Sequence, residues 1–325
     1  MGKQAVLLLA HGTPETVEQV PEYLRNVVSG RPLPLQVIDE IQHRYSLIGR
    51  SPLTEITQEQ GRLVEAELAA QGERVPVYVG MRNWRPYIPD VVRQMLADGV
   101  EEAAVICLAP QNSRTSVGLY RRAVQAEAGA LRIDFTDGWA QHPLLAEAFA
   151  ERLRAAMAKL TAETGAPVPV LFTAHSVPIR TVQAPAASEG QPRLWPGEGA
   201  DPYAEEAKHT AELVSARVDG IPRWWFAFQS QGASGGPWIG PSVEETLDVI
   251  AASGVKTLIL QPVGFLCDHV EILYDVDILF RGYAEKLGMR LERPESLNAS
   301  KTLAKAVADL ARQGLARLAS LGGNS

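Results

Sequence analysis

The chain is short of cysteine, with two in 325 residues, Cys107 and Cys267. Both lie beside apolar runs, which reads as buried thiols rather than a disulfide. No cysteine cluster is present to ligate an iron–sulfur centre, so none is expected. Positive charge is short as well: 31 Lys and Arg stand against 38 Asp and Glu, for a net charge of −7. Such a balance provides no overall pull toward nucleic acid or anionic lipid. No apolar run approaches the roughly 18 residues of a transmembrane helix. The apolar start of "MGKQAVLLLAHG" is too short for a secretory leader with its cleavage site, so a cytoplasmic protein is the expectation. Phosphate-binding motifs are missing too. The Gly-rich stretch 228–242, "FQSQGASGGPWIGPS", has no Lys-Ser or Lys-Thr and lacks the spaced glycines of a dinucleotide fingerprint. Ser176 follows His175, but no nucleophile elbow surrounds it.

What the chain does have is rhythm. Its hydrophobic share is 46%, and its length suits two domains of about 150 residues. Short apolar runs at 5–9, 75–79, 103–108 and 132–135 alternate with helix-period segments at 17–28, 34–45, 53–70 and 88–98. The second half repeats this, with strands expected at 168–172, 224–229, 257–262 and 289–293, and helices at 144–160, 202–218, 243–253, 270–286 and 300–318. Strands alternating with helices mean parallel sheets covered on both faces. The expectation is an α/β protein of two similar domains, 1–143 and 144–325, each a four-stranded parallel sheet flanked by helices. The hinge is expected between the segment 136–143 and the helix that follows it, and the last helix is free to pack back on the first domain.

Two apolar runs end alike. "VLLLAHGTP" closes on His11 and "PVLFTAHSVP" closes on His175. Ligands of open α/β sheets bind beyond the carboxyl ends of the strands. Both histidines are therefore expected at the mouth of one cleft, although a duplication that leaves them as ordinary loop residues gives the same pattern. The stretch 183–201, rich in Pro, Gly and Ala, follows His175 and is expected to lie over the cleft mouth, as a linker or a functional lid.

The segment 262–277, "PVGFLCDHVEILYDVD", carries the densest chemistry. A helix starting near Asp268 would set Asp268, Glu271 and Asp275 on one face, at i, i+3 and i+7. A solvated acidic face is the ordinary outcome of that spacing. Here Ile272, Leu273 and Tyr274 surround it, and it follows a buried strand. Glu271 is thus expected to be partly desolvated, with its pKa raised, suited to proton transfer or to a divalent cation. Cys267, His269 and Glu271 would converge only in an extended segment; in a helix they diverge. Trp238, at the tip of the Gly-rich loop, either stacks on a flat ligand or plugs the domain edge.

At this point the motifs resemble a family. "FTAHSVP", "DPYAEEAKHTAELV", "FQSQGASGGPWIGPS" and "PVGFLCDHVEILYDVD", with "IQHRYSLIGRSPL", "GMRNWRPYI" and "LAPQNSRTSVGLY" in the first half, are similar to the ferrochelatases over essentially the whole chain. Asn83-Trp84 and Asp201-Pro202-Tyr203 resemble most the Gram-positive-type enzymes that insert iron into coproporphyrin III. The resemblance implies two Rossmann-like domains of the class II chelatase kind, and a lyase of haem biosynthesis. Its substrates would be Fe(II) and coproporphyrin III, with no prosthetic group. Protoporphyrin IX, or cobalt or iron insertion into sirohydrochlorin, are the variants within that chemistry, and a non-catalytic haem- or tetrapyrrole-binding protein is the reading outside it. Transient contact with neighbouring haem-pathway enzymes is a further expectation.

The resemblance also implies residue roles. His175 and Glu271 match the catalytic pair and candidate metal ligands, and Asp268 and Asp275 would form an outer acidic track. Arg44, Tyr45, Ser51 and Tyr120 match contacts to the macrocycle or its propionates; Arg31, as a compensating arginine, and Trp238, from its place on the Gly-rich loop, are further candidate substrate contacts. Three positions depart from the pattern. His11 stands where close relatives have a tyrosine near the metal, which makes it a candidate axial contact. Val28 replaces an arginine of the coproporphyrin site, for which Arg31 or Arg25 would compensate. Leu279 replaces an acidic residue of an outer metal site.

Overall fold

The computed structural model describes residues 2–183, 200–231 and 236–322. Two four-stranded, all-parallel sheets carry the architecture. The first contains β1 (Gln4–Ala10), β2 (Val77–Met81), β3 (Glu102–Cys107) and β4 (Arg132–Thr136), in the order β2-β1-β3-β4. The second contains β5 (Val170–His175), β6 (Trp224–Gln229), β7 (Thr257–Pro262) and β8 (Arg290–Glu292), in the order β6-β5-β7-β8. Two similar Rossmann-like sheets were expected, and two are found.

The central strands are apolar without interruption because both of their faces are covered. Ala5, Val6, Leu7, Leu8 and Leu9 of β1 are all fully buried. On one face of the first sheet, Ile88, Val92 and Met95 of α4 (Ile88–Ala97) pack with Val117, Tyr120 and Val124 of α5 (Val117–Glu127). Also in this unit are α1 (Val20–Val27), preceded by a 3-10 turn, α2 (Leu35–Ile48) and α3 (Leu53–Ala70). In the second sheet, α9 (Val243–Ala252) contributes Val243, Leu247 and Ile250 to a core that also takes Ile272, Val276 and Phe280. The remaining helices of this half are α6 (Pro143–Thr164), α7 (Ile179–Val182), α8 (Tyr203–Ser215) and α10 (Arg281–Lys286).

The chain divides into two compact units: residues 1–139 with 298–325, and residues 140–297. The last helix, α11 (Lys301–Gly322), belongs to the first unit, where it packs on α3, β3 and β4. The second unit therefore ends at Leu297 instead of running through 325.

Two local differences bear on the site. First, β5 runs to His175 itself, three residues past the expected end at 172. Its pairing with β6 keeps full register to His175↔Gln229, so the histidine is the last residue of the strand. Second, no helix begins at Asp268. Residues 264–269 form an irregular loop, and Glu271–Phe280 wind as a π-helix that continues into α10. The loop is held by its own polar groups, with the His269 Nδ1 3.0 Å from the Cys267 carbonyl and the Asp268 carboxylate taken by Ser296 and Arg293. The spacing i, i+3, i+7 therefore does not describe one α-helical face here. Of the stretch expected over the cleft mouth, residues 184–199 lie outside the described residues.

Candidate active site

In the second unit the carboxyl ends of β5 and β7 meet. The Val263 amide donates to the Thr173 carbonyl at 2.8 Å, which brings the loop after β7 against the end of β5. Gly264 permits the approach: a Cβ there would stand 3.0 Å from the Ala174 Cβ and 3.1 Å from its Cα. The two elements thus deliver His175 and Glu271 to each other, with the His175 Nδ1 3.1 Å from the Glu271 Oε2. Both side chains keep about a third of their surface open, 32% and 35%. His269 stands behind, its Nε2 3.8 Å from the same carboxylate oxygen. The Phe265 ring packs against both imidazoles, 4.6 Å from His269 and 6.2 Å from His175 by centroid.

Buried polar groups hold the pair in place. The Tyr203 hydroxyl donates to the His175 carbonyl at 2.9 Å, and the Asp201 carboxylate accepts from the Tyr203 amide at 3.1 Å. Gln229 accepts from the Thr173 hydroxyl at 2.6 Å and donates to the Glu271 carbonyl at 3.2 Å. Next to it Ser230, in the left-handed region at φ 63°, donates to the carboxylate of Asp275, which is buried at 3% exposure. Asp275 lies one wide turn along the π-helix from Glu271, where i and i+4 share a side.

The electrostatics correct one expectation. Burial alone pushes the Glu271 carboxyl up, as desolvation should. The facing His175, together with His269, outweighs it and holds Glu271 well below the usual carboxylate range. Burial likewise works against the His175 imidazolium, but Glu271, aided by Asp275, leaves its pKa raised. Each group thus shifts the other toward its charged form. Cys267 is not a third member: burial pushes its thiol up to about 12.

Asp268 is turned to a different partnership. Its Oδ1 accepts from the Ser296 hydroxyl at 2.6 Å and lies 3.2 Å from Arg293 Nη1. Arg293 also grips Asp277 with two parallel bonds, Nε at 2.8 Å and Nη2 at 2.7 Å. Trp238 is half-buried and bridges to Pro178 across the loop that follows His175. Leu279 is exposed on the π-helix. Among the described residues, no three His, Cys, Asp or Glu side chains converge as a group that could hold a metal.

The first unit has its own histidine site. His11 follows β1, with Nε2 2.8 Å from the Tyr23 hydroxyl and 3.1 Å from the Asn83 amide nitrogen. The Asn83 amide N–H donates to the His11 carbonyl at 2.9 Å, and Asn26 donates to the Asn83 carbonyl at 3.1 Å. Gly12, at φ 75°, turns the chain where a Cβ would meet Met81 at 2.8 Å and the Trp84 nitrogen at 2.9 Å. Of the expected macrocycle contacts, Tyr45 and Tyr120 are buried, and burial raises the Tyr120 hydroxyl pKa above its ordinary value. Ser51 is buried against Thr13, their hydroxyls 2.7 Å apart. Arg44 pairs with Glu40 one helical turn away. Arg31 is exposed and donates to the Val28 carbonyl at 3.0 Å, and the Arg25 carbonyl accepts from the Gly30 amide.

Sequence reasoning did not pick out Tyr23, Gln229, Ser230 or Arg293 as site residues. Gln229 and Ser230 had a signal, since they sit at the carboxyl end of β6 beside His175. Arg293 had one as well, being the first residue past β8.

Two parallel four-stranded sheets, with a histidine at the carboxyl end of the first strand of each, have the fold of the class II chelatases. The sirohydrochlorin chelatase SirB from Bacillus subtilis subspecies spizizenii, in complex with cobalt, superposes with a TM-score of 0.56 at 11% identity, over 96% of this chain and 94% of that one. The ferrochelatase family profile matches residues 3–315. A ferrochelatase of Acidobacterium capsulatum is 62% identical over 317 residues, 97% of this chain and 96% of the relative. A coproporphyrin III ferrochelatase of Mycolicibacterium vanbaalenii is 36% identical over 95% of this chain and 89% of its own length. The chain belongs to the ferrochelatase family. It is accordingly a metal chelatase, a lyase whose substrates are a porphyrin and a metal ion. Among the described residues no helix is long and apolar enough to cross a membrane.

Proposed function

We propose that this chelatase inserts Fe(II) into coproporphyrin III to give coproheme, with His175 and Glu271 as the working pair. The observation that carries the reading is the 3.1 Å contact between His175 Nδ1 and the Glu271 carboxylate, at the carboxyl ends of the two central strands. Insertion removes two protons from pyrrole nitrogens, so the site needs a base poised near neutral pH. With Nδ1 turned toward the Glu271 carboxylate at 3.1 Å, Nε2 is the nitrogen left to lose a proton and to offer its lone pair to the pyrrole N–H or the metal. Each pyrrole proton accepted there creates an imidazolium that the Glu271 carboxylate stabilises, and its release to solvent readies Nε2 for the second. Asp275, held by Ser230, adds negative charge in the direction that favours both the cation and the protonated imidazole.

Fe(II) is a substrate in this reading, and no prosthetic group or iron–sulfur centre enters it. The histidine–carboxylate pair provides two ligands of borderline and hard character, and the four tetrapyrrole nitrogens take over as the metal descends. The choice of coproporphyrin III rests on Asn83-Trp84 and Asp201-Tyr203, and on relatives of that name at 31–36% identity. Soluble cytoplasmic operation follows the same reading, as does transient contact with other enzymes of haem synthesis.

The test is anaerobic insertion followed by absorption of the product. Fe(II) with coproporphyrin III should give coproheme faster than protoporphyrin IX gives haem, and sirohydrochlorin with Co(II) should not turn over. Faster reaction with protoporphyrin IX would overturn the substrate. Tight haem binding without any insertion would replace the enzyme with a carrier.

A further inference from the structure

Arg293 is a half-buried cation with no assigned task. Its side chain is 12% exposed, and it binds two carboxylates and a hydroxyl at once. Asp277 takes the planar fork of Nε and Nη2, while Nη1 reaches Asp268 at 3.2 Å and Ser296 at 3.0 Å. The two carboxylates bracket the reactive segment. Asp268 lies three residues before Glu271, and Asp277 lies on the π-helix two residues after Asp275.

A π-helix is rare and ordinarily no longer than a single turn, so ten residues of it need support from outside. That support comes from a rigid frame. Arg293 is the first residue past β8, which pairs with β7 in register Ile259↔Glu292. The strand that feeds the loop and the strand that presents the arginine are therefore neighbours. On the far side, Arg152 of α6 binds Glu295 at 3.0 Å and the Leu297 carbonyl at 3.3 Å, tying down the segment that carries Ser296. A guanidinium in this position fixes distance and orientation as a lysine could not.

We propose that Arg293 is a positioning residue that clamps Asp268 and Asp277 and thereby holds Glu271 and Asp275 for metal insertion. In this proposal Asp268 belongs to the clamp and not to a path for the incoming metal. The proposal rests on the chelatase reading above, deepening it, and its test separates the two.

The experiment compares wild type with Arg293→Gln, Arg293→Lys, Asp268→Asn and the double variant Arg293→Gln/Asp268→Asn. It measures Fe(II) insertion into coproporphyrin III, together with amide hydrogen exchange over residues 271–280. Arg293→Gln should lower kcat by about tenfold or more, because displacements well under 1 Å at a reacting group carry penalties of that order, and leave both KM values within about twofold. Arg293→Lys should recover a fraction of the loss. Asp268→Asn should lower kcat without raising the KM for Fe(II), and the double variant should be no worse than Arg293→Gln alone. Exchange over 271–280 should accelerate in every variant. A raised KM for Fe(II) in Asp268→Asn with kcat intact would return Asp268 to the metal path. Wild-type kcat and exchange in Arg293→Gln would remove the clamp. If Arg293→Gln does not fold, Asp268→Asn and Arg293→Lys carry the same comparison. A wild type that inserts no iron would refute the function, while the exchange measurement still decides the clamp.

Discussion

Replacing Gly264 with alanine adds one methyl at the point where the loop after β7 crosses the end of β5. That methyl carbon would sit 3.0 Å from the Ala174 Cβ, 3.1 Å from its Cα and 3.4 Å from the His175 nitrogen. Carbon atoms in good contact lie about 3.5–4.0 Å apart, so something must move by about half an ångström. Both candidates for movement are in the site. If β5 yields, His175 shifts; if the loop yields, Phe265 shifts against His175 and His269. Overpacking of this kind costs about 1–3 kcal/mol, which in a chain of this size lowers Tm by about 1.5–4.5 °C. Displacement of the reacting imidazole by about half an ångström should reduce kcat about tenfold with the fold intact. A matched control is available in Gly282→Ala on α10. A Cβ there meets nothing within 4 Å, and alanine should be neutral or stabilising by up to about 1 kcal/mol. Thermal unfolding and steady-state insertion measured on both variants decide the matter. Unchanged Tm and kcat in Gly264→Ala would refute the claim that the two strand ends are in tight contact.

Other outcomes follow from the same contacts. The His175–Glu271 attraction stabilises the fold in a defined window. A raised histidine pKa contributes fully below its unfolded value of 6.5 and is lost as pH rises through the folded one. A depressed glutamate pKa contributes fully above 4.5 and is lost as pH falls through the folded one. The Tm deficit of Glu271→Gln relative to wild type should therefore be greatest between pH 4.5 and 6.5 and shrink on both sides, as calorimetry across pH will show. A deficit that grows steadily above pH 8 would contradict the pairing. In the same variant the His175 proton resonances should titrate at lower pH than in wild type, and an upward move would contradict the assigned cause. In the first unit, Tyr23→Phe removes the 2.8 Å partner of His11 and should cost about 1 kcal/mol in chemical denaturation. Loss of less than a few tenths would mean that the hydroxyl does not hold the ring.

The two sheets were legible because burial on both faces leaves a continuous apolar signature. Residues 5–9 of β1 could be read as strand without knowing their neighbours. The place of His175 was legible for the same reason, since the carboxyl end of such a strand is where α/β sheets bind ligands. The charge state of Glu271 was not. Its neighbours in sequence are apolar and predict a raised pKa. The deciding groups are an imidazole nearly a hundred residues earlier and another two residues before, turned back by an irregular loop. The π-helix was equally hidden, because Ile272, Val276 and Phe280 bury one side in either helical form and the apolar pattern does not distinguish them. Asp268 was read as a partner of Glu271 from spacing alone. Its true partner, Arg293, is brought in by the pairing of β7 with β8.

The central claim is that His175, backed by Glu271, removes pyrrole protons as iron enters. Anaerobic Fe(II) insertion into coproporphyrin III by wild type and by His175→Ala tests it most directly, with porphyrin binding followed in parallel by fluorescence quenching. Loss of general-base catalysis predicts a fall in turnover of about 10²–10⁴-fold while porphyrin affinity stays within about threefold. Turnover near the wild-type value in His175→Ala would contradict the account.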